Sequence, residues 1–64
     1  MVSRGEGMKR RELIKLLEKN GWHLKRNGAN HDIYAKGSSR EIIERHREIP
    51  EPLAQAIIRR WGLK

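Results

Sequence analysis

The side chains able to exchange a proton near neutral pH are three histidines, His23, His31 and His46, because an unperturbed imidazole titrates at about 6.5. There is no cysteine to act as a nucleophile or thiolate ligand. His31 stands apart from the other two. It follows a Gly28-Ala29-Asn30 turn and opens a strand, a position at the rim of a sheet where the backbone holds the ring and one ring edge meets solvent. Cleavage of an RNA phosphodiester without a metal needs a base for the 2′-hydroxyl proton, an in-line geometry, and cations for the charge that grows on the phosphate. Lys25, Arg26 and Lys36, read as flanking the turn, are cations of that kind.

Each of these readings has a plainer competitor. Strand parity puts His31 on the same side as Ile33 and Ala35. Read as the side facing the helices, this leaves a half-buried structural histidine as the alternative to a catalytic one. His46, in the His46-Arg47-Glu48 loop, can serve as a general acid or phosphate contact, or simply be a solvated loop residue. His23 alternates with Trp22 and Leu24 and falls on the exposed sheet face, without a catalytic role. The histidines lack the spacing of a metal site, and no cysteine completes a ligand set, so no metal is expected. A Ser38, His31, Asp32 triad is discarded because Asp32 points to the other side of its strand.

The charge balance points the same way as the turn. Fifteen Lys and Arg against eight Asp and Glu give a net charge of +7 on 64 residues, which favours a polyanionic partner. Arg11, Lys15 and Lys19 recur every fourth residue and form a basic stripe on a helix. Like charges at that spacing repel slightly, although Glu12 and Glu18 lie three residues from Lys15 and partly neutralise it. Arg40, Arg45 and Arg47 make a second group; Arg59, Arg60 and Lys64 make a third, which suits the C-terminal end of a helix dipole without any ligand. Of the three aromatics, Trp22 and Trp61 fall on apolar faces, leaving Tyr34 as the candidate for base stacking.

The elements that must position these residues follow from periodicity and turn chemistry. Residues 1–7 carry two glycines and no apolar period, and read as a flexible leader before one domain at 8–64. Leu13, Ile14, Leu16 and Leu17 predict a helix from Met8 to about Asn20, stopped by Asn20-Gly21. Trp22 to Arg26 and Ile33 to Ala35 predict two strands around Asn27-Gly28, a pair that tolerates positive φ in a hairpin. Arg40 to Arg45 predicts a third strand after the Gly37-Ser38-Ser39 turn. A loop from His46 to Pro52 then leads into a last helix through Leu53, Ala54, Ile57, Ile58 and Trp61, closed by Gly62. The expected fold is α+β: helix, three antiparallel strands, helix, with both helices on one sheet face. That order in a basic chain is the order of double-stranded-RNA-binding domains. A domain this small buries only about 60% of its unfolded surface, which excludes a large internal cavity. The apolar runs are far too short to span a membrane, and the thiol-free composition suits the cytoplasm.

Four stretches together resemble the HicA family of toxin-antitoxin mRNA interferases. They are Met8-Lys9-Arg10-Arg11-Glu12-Leu13-Ile14-Lys15-Leu16-Leu17-Glu18 with Asn20-Gly21-Trp22, the turn Gly28-Ala29-Asn30-His31, Arg45-His46-Arg47-Glu48-Ile49-Pro50, and Ile57-Ile58-Arg59-Arg60-Trp61-Gly62-Leu63. The resemblance implies a double-stranded-RNA-binding-like fold, endoribonuclease activity on mRNA without a cofactor, and neutralisation by a HicB-type antitoxin; we expect that inhibitor to cover His31. The family's essential histidine carries over to His31. Ala29 stands where a serine is common, and Glu44 where relatives often have proline. Two other classes remain open: a non-catalytic RNA-binding module, and a protein-interaction domain whose charge meets an acidic partner.

Overall fold

The computed structural model describes residues 7–64, and the remainder of the expected leader, residues 1–6, lies outside the described residues. The chain runs β1 (Met8–Lys9), α1 (Arg10–Lys19), β2 (His23–Asn27), β3 (His31–Lys36), β4 (Ser39–Glu44), β5 (Glu48–Ile49) and α2 (Glu51–Trp61). Strands β2, β3 and β4 form an antiparallel sheet with β3 at the centre. This is the expected α+β order of helix, three-stranded sheet and helix. Two details differ. Met8 and Lys9 leave the predicted first helix to pair with Ile49 and Glu48, so β1 and β5 make a separate two-stranded ribbon inside what reads as loop. Two-residue strands have no room for periodicity, so pattern cannot reveal them.

Local chemistry accounts for the element ends. Asn20 follows α1, its side-chain amide donates to the Leu16 carbonyl at 2.8 Å, and Gly21 takes the left-handed φ of +95° that lets the Trp22 N–H return to the Leu17 carbonyl at 2.9 Å. This satisfies carbonyls that a helix end leaves open. Pro52 sits in the first turn of α2, where a missing N–H costs nothing, and Gly62 closes that helix at φ +60°.

One face of the sheet carries the core. Leu13 and Leu17 of α1, Ala54 and Ile57 of α2, and Tyr34 and Ile43 of the sheet pack with Trp22, Ile49 and Leu63. Trp61 meets Trp22 edge-on, with ring centroids 4.9 Å apart. Each helix is also tied to the same sheet face by a buried carboxylate. Asp32 on β3 accepts from Arg10 at the start of α1 at 2.6 Å, and Glu41 on β4 accepts from Trp61 Nε1 at 2.6 Å and Arg60 at 2.9 Å, near the end of α2. The second carboxylate oxygen of Glu41 accepts the Ile42 N–H at 3.1 Å.

The face assignment corrects the expected parity. Asp32 and Tyr34 point to the helices, so His31 and Ile33 lie on the opposite, open face. Tyr34 is therefore in the core rather than free to stack on a base, and burial pushes its phenol above the ordinary value. Along β4 the adjacent isoleucines divide the same way, Ile43 being 1% exposed and Ile42 55% exposed. Threonine at position 43 should cost about 2–4 kcal/mol, from reduced burial, a cavity and a buried hydroxyl. The same change at Ile42 should stay within about 0.5 kcal/mol. Urea unfolding followed by tryptophan fluorescence reads both, and equal losses would overturn the face assignment.

Candidate active site

The loop between β2 and β3 is held from within. The Gly28 N–H donates to the His31 carbonyl at 2.8 Å, and a Cβ added at Gly28 would collide with that oxygen. Gly28 is not among the glycines of positive φ, so the Asn27-Gly28 pair owes its glycine to this close approach and not to the expected turn conformation. On the outer side, the Arg45 N–H donates to the Asn30 carbonyl at 3.2 Å. The residues leading into His31 are thus pinned to the end of β4.

The next residue decides which way His31 faces. Asp32 is buried, and its two carboxylate oxygens are taken by Arg10 Nη2 at 2.6 Å and by Arg45, with Nε at 3.1 Å and Nη2 at 3.0 Å. Arg10 also donates through Nε to the Glu44 carbonyl at 2.7 Å. Because successive side chains of a strand alternate, fixing Asp32 inward presents His31 outward. His31 is exposed. Burial alone would push the Asp32 carboxyl up, but the Arg45 and Arg10 guanidiniums outweigh it and hold the group below its ordinary value of 3.8.

Across the sheet His31 stands opposite Glu44, and Glu44 Oε1 lies 3.9 Å from His46 Nε2. Two imidazoles and a carboxylate therefore share one end of the sheet. Arg26 pairs with Ile33 on the open face, with Lys25 next to it at an irregularity in the β2 register. Lys36 is elsewhere. It ends β3, about 17 Å along the strand from His31 at roughly 3.3 Å per residue, with its side chain lying over Gly21. The expectation that it flanks the turn is corrected, because β3 runs its full length between them. His23 pairs with Ala35 and is exposed, as parity suggests. Arg11, Lys15 and Lys19 line up as an exposed stripe on α1. Arg45 has a structural task in holding Asp32, while its side chain stays 44% exposed.

A family model described as the HicA toxin of bacterial toxin-antitoxin matches residues 10–63. The chain belongs to the HicA toxin family. No curated protein and no solved structure gives a match. A HicA toxin belongs to a toxin-antitoxin pair, so an antitoxin partner comes with this membership. The matched span of this HicA chain begins at Arg10 and takes in the whole Arg10, Asp32, Arg45 cluster together with His31. No described helix is long and apolar enough to cross a membrane.

Sequence reasoning did not find Arg10 or the role of Asp32. The expected parity put Asp32 on the open face, where an acid needs no partner, so the sequence carried no local signal for the pairing; burying it on the helix side is what calls for cations from elsewhere in the chain. The lowered carboxyl has a stability consequence. Its contribution is fully present above the ordinary value of 3.8 and is lost as pH falls through the lower folded value. Asp32→Asn should therefore lower the melting temperature at pH 7, and the gap to the wild-type chain should close in acid below about pH 4. Thermal melts followed by circular dichroism across pH 2–7 check this, and a gap independent of pH would refute it.

Proposed function

We propose that this HicA toxin is an endoribonuclease that cleaves mRNA with His31 as its catalytic base. The observation that carries the reading is the exposed imidazole at the start of β3, held by backbone on both sides and presented by the Arg10, Asp32, Arg45 cluster. A catalytic base must reach its proton in a defined orientation, and rigid elements supply that orientation better than free loops. Neutral His31 takes the proton of a 2′-hydroxyl. The 2′-oxygen then forms a bond to phosphorus as the bond to the 5′-oxygen breaks, leaving a 2′,3′-cyclic phosphate and, after that oxygen gains a proton, a 5′-hydroxyl. His46, protonated and at the same end of the sheet, is the candidate donor to the leaving oxygen. Lys25, Arg26, Arg45 and the stripe of Arg11, Lys15 and Lys19 supply cations for RNA. The chemistry uses no cofactor.

A HicB-type antitoxin is the inhibitor this reading calls for, covering His31 and meeting the basic surface with acidic groups. Acting on mRNA places the toxin in the cytoplasm. The competing reading, a basic domain that binds RNA without cutting it, makes a different prediction for one variant. His31→Ala should lose at least about 100-fold in cleavage rate while keeping the wild-type circular dichroism spectrum, since general acid-base groups contribute about 10²–10⁴-fold. An oligonucleotide of the same sequence without 2′-hydroxyls should remain intact. If His31→Ala cuts as fast as wild type, or if the 2′-deoxy chain is cut, His31 is not the base of this mechanism.

A further inference from the structure

Beside the His31 end of the sheet, but not on its open face, lies an open groove lined by Lys9, Arg10, Arg11, Arg45 and Arg47. These five cations come from separate places: β1, the start of α1, and the connection from β4 to β5. The groove is held together by the backbone, with the Arg10 N–H donating to the Arg47 carbonyl at 2.9 Å, and by Arg10 and Arg45 sharing Asp32. Lys9, Arg11 and Arg47 form no ion pair among the described residues. Asp32 thus pairs with two of the five cations.

The placement is also unfavourable for the helix. Lys9 caps α1 without a side-chain hydrogen bond, and Arg10 and Arg11 follow in its first turn, offset there by Glu12. Cations at a helix N-terminus oppose the dipole, and they repel one another as well. An arrangement that is unfavourable on both counts is balanced when an anion occupies the groove. The concavity, the convergence of cations from three segments and the three cations without an ion pair among the described residues are matched by a phosphodiester, whose oxygens accept from guanidinium groups in paired geometry.

We infer that this groove binds backbone phosphates of the RNA chain next to the one that reacts at His31. The inference rests on the reading of the protein as an RNA-cleaving toxin and adds a place for the flanking strand. The connection is short. Arg45 donates to Asn30, directly before His31, and Arg10 donates to Glu44, directly opposite His31. A single strand crossing the end of the sheet passes from the open face at His31 to the groove around these two arginines. The groove is then a second cationic surface, distinct from the Lys15 and Lys19 part of the α1 stripe. Arg11 joins the two.

The test uses the whole chain and a fluorescein-labelled single-stranded 2′-O-methyl oligoribonucleotide, which has no free 2′-hydroxyl to react. Binding is therefore read whether or not the chain is a nuclease. Arg11→Gln with Arg47→Gln removes two groove cations that hold no other side chain, whereas Arg59→Gln with Lys64→Gln removes the same charge from the end of α2 and the residues after it. The groove pair should weaken binding about 10-fold or more. It should also flatten the slope of log K against log salt by about 1.4, at roughly 0.7 for each single-strand phosphate that is no longer neutralised. The control pair should change affinity less than about 3-fold. Equal losses in both pairs would mean that only net charge matters, and an unchanged groove pair would mean that the RNA passes elsewhere or that the groove meets an acidic protein; either overturns the inference. His31→Ala cutting as fast as wild type while the groove pair still loses binding would remove the catalytic reading and leave the groove standing.

Discussion

One buried carboxylate organises this end of the molecule. Asp32 sits on the helix side of the central strand, and its position is tolerable only because Arg10 and Arg45 reach it from α1 and from the end of β4. The same contacts fix the start of α1 over the sheet, draw the chain after β4 back towards the loop, and turn the neighbouring His31 towards solvent. Removing any one partner leaves the others charged and partly desolvated, so the three act as a unit. Orientation of the histidine is in this sense a by-product of core packing.

A second carboxylate does the corresponding work at the other helix. Glu41 binds Trp61 and Arg60, so each helix is fastened to one buried carboxylate by directional polar contacts in addition to its apolar stripe. For a domain of this size the distinction matters. Apolar contacts supply most of the driving force but are indifferent to small rotations. A hydrogen bond from an indole or guanidinium is not, and it selects one arrangement among several that bury similar area.

The helices and turns were legible because their causes are local. Leu13 and Leu17 recur at helical spacing, and Gly21, Gly37 and Gly62 occupy positions of positive φ at element ends. The sheet face was not legible, for a reason visible in β3 and β4. Both strands carry apolar residues on each side, Ile33 and Ile42 on one and Tyr34 and Ile43 on the other, while the acids Asp32 and Glu41 occupy the buried side. Hydropathy alternation then points the wrong way. Only cations 22 and 13 residues from Asp32 in the chain resolve it. The candidate histidine was found from its turn, but its surroundings belong to long-range pairing. Membership of the toxin family follows from the order of several short stretches, none of which decides the matter alone.

Strand β4 lies at the edge of its sheet, where free backbone donors would template pairing with another chain. The Ile42 N–H is instead held by the carboxylate of Glu41, in the middle of that strand. An approaching strand finds one of its necessary donors already engaged, and Arg40 and Glu44 place charges to either side. The group that fastens α2 thus also blunts this edge of the sheet. The exposed Ile42 sits on an edge whose backbone is partly closed to pairing.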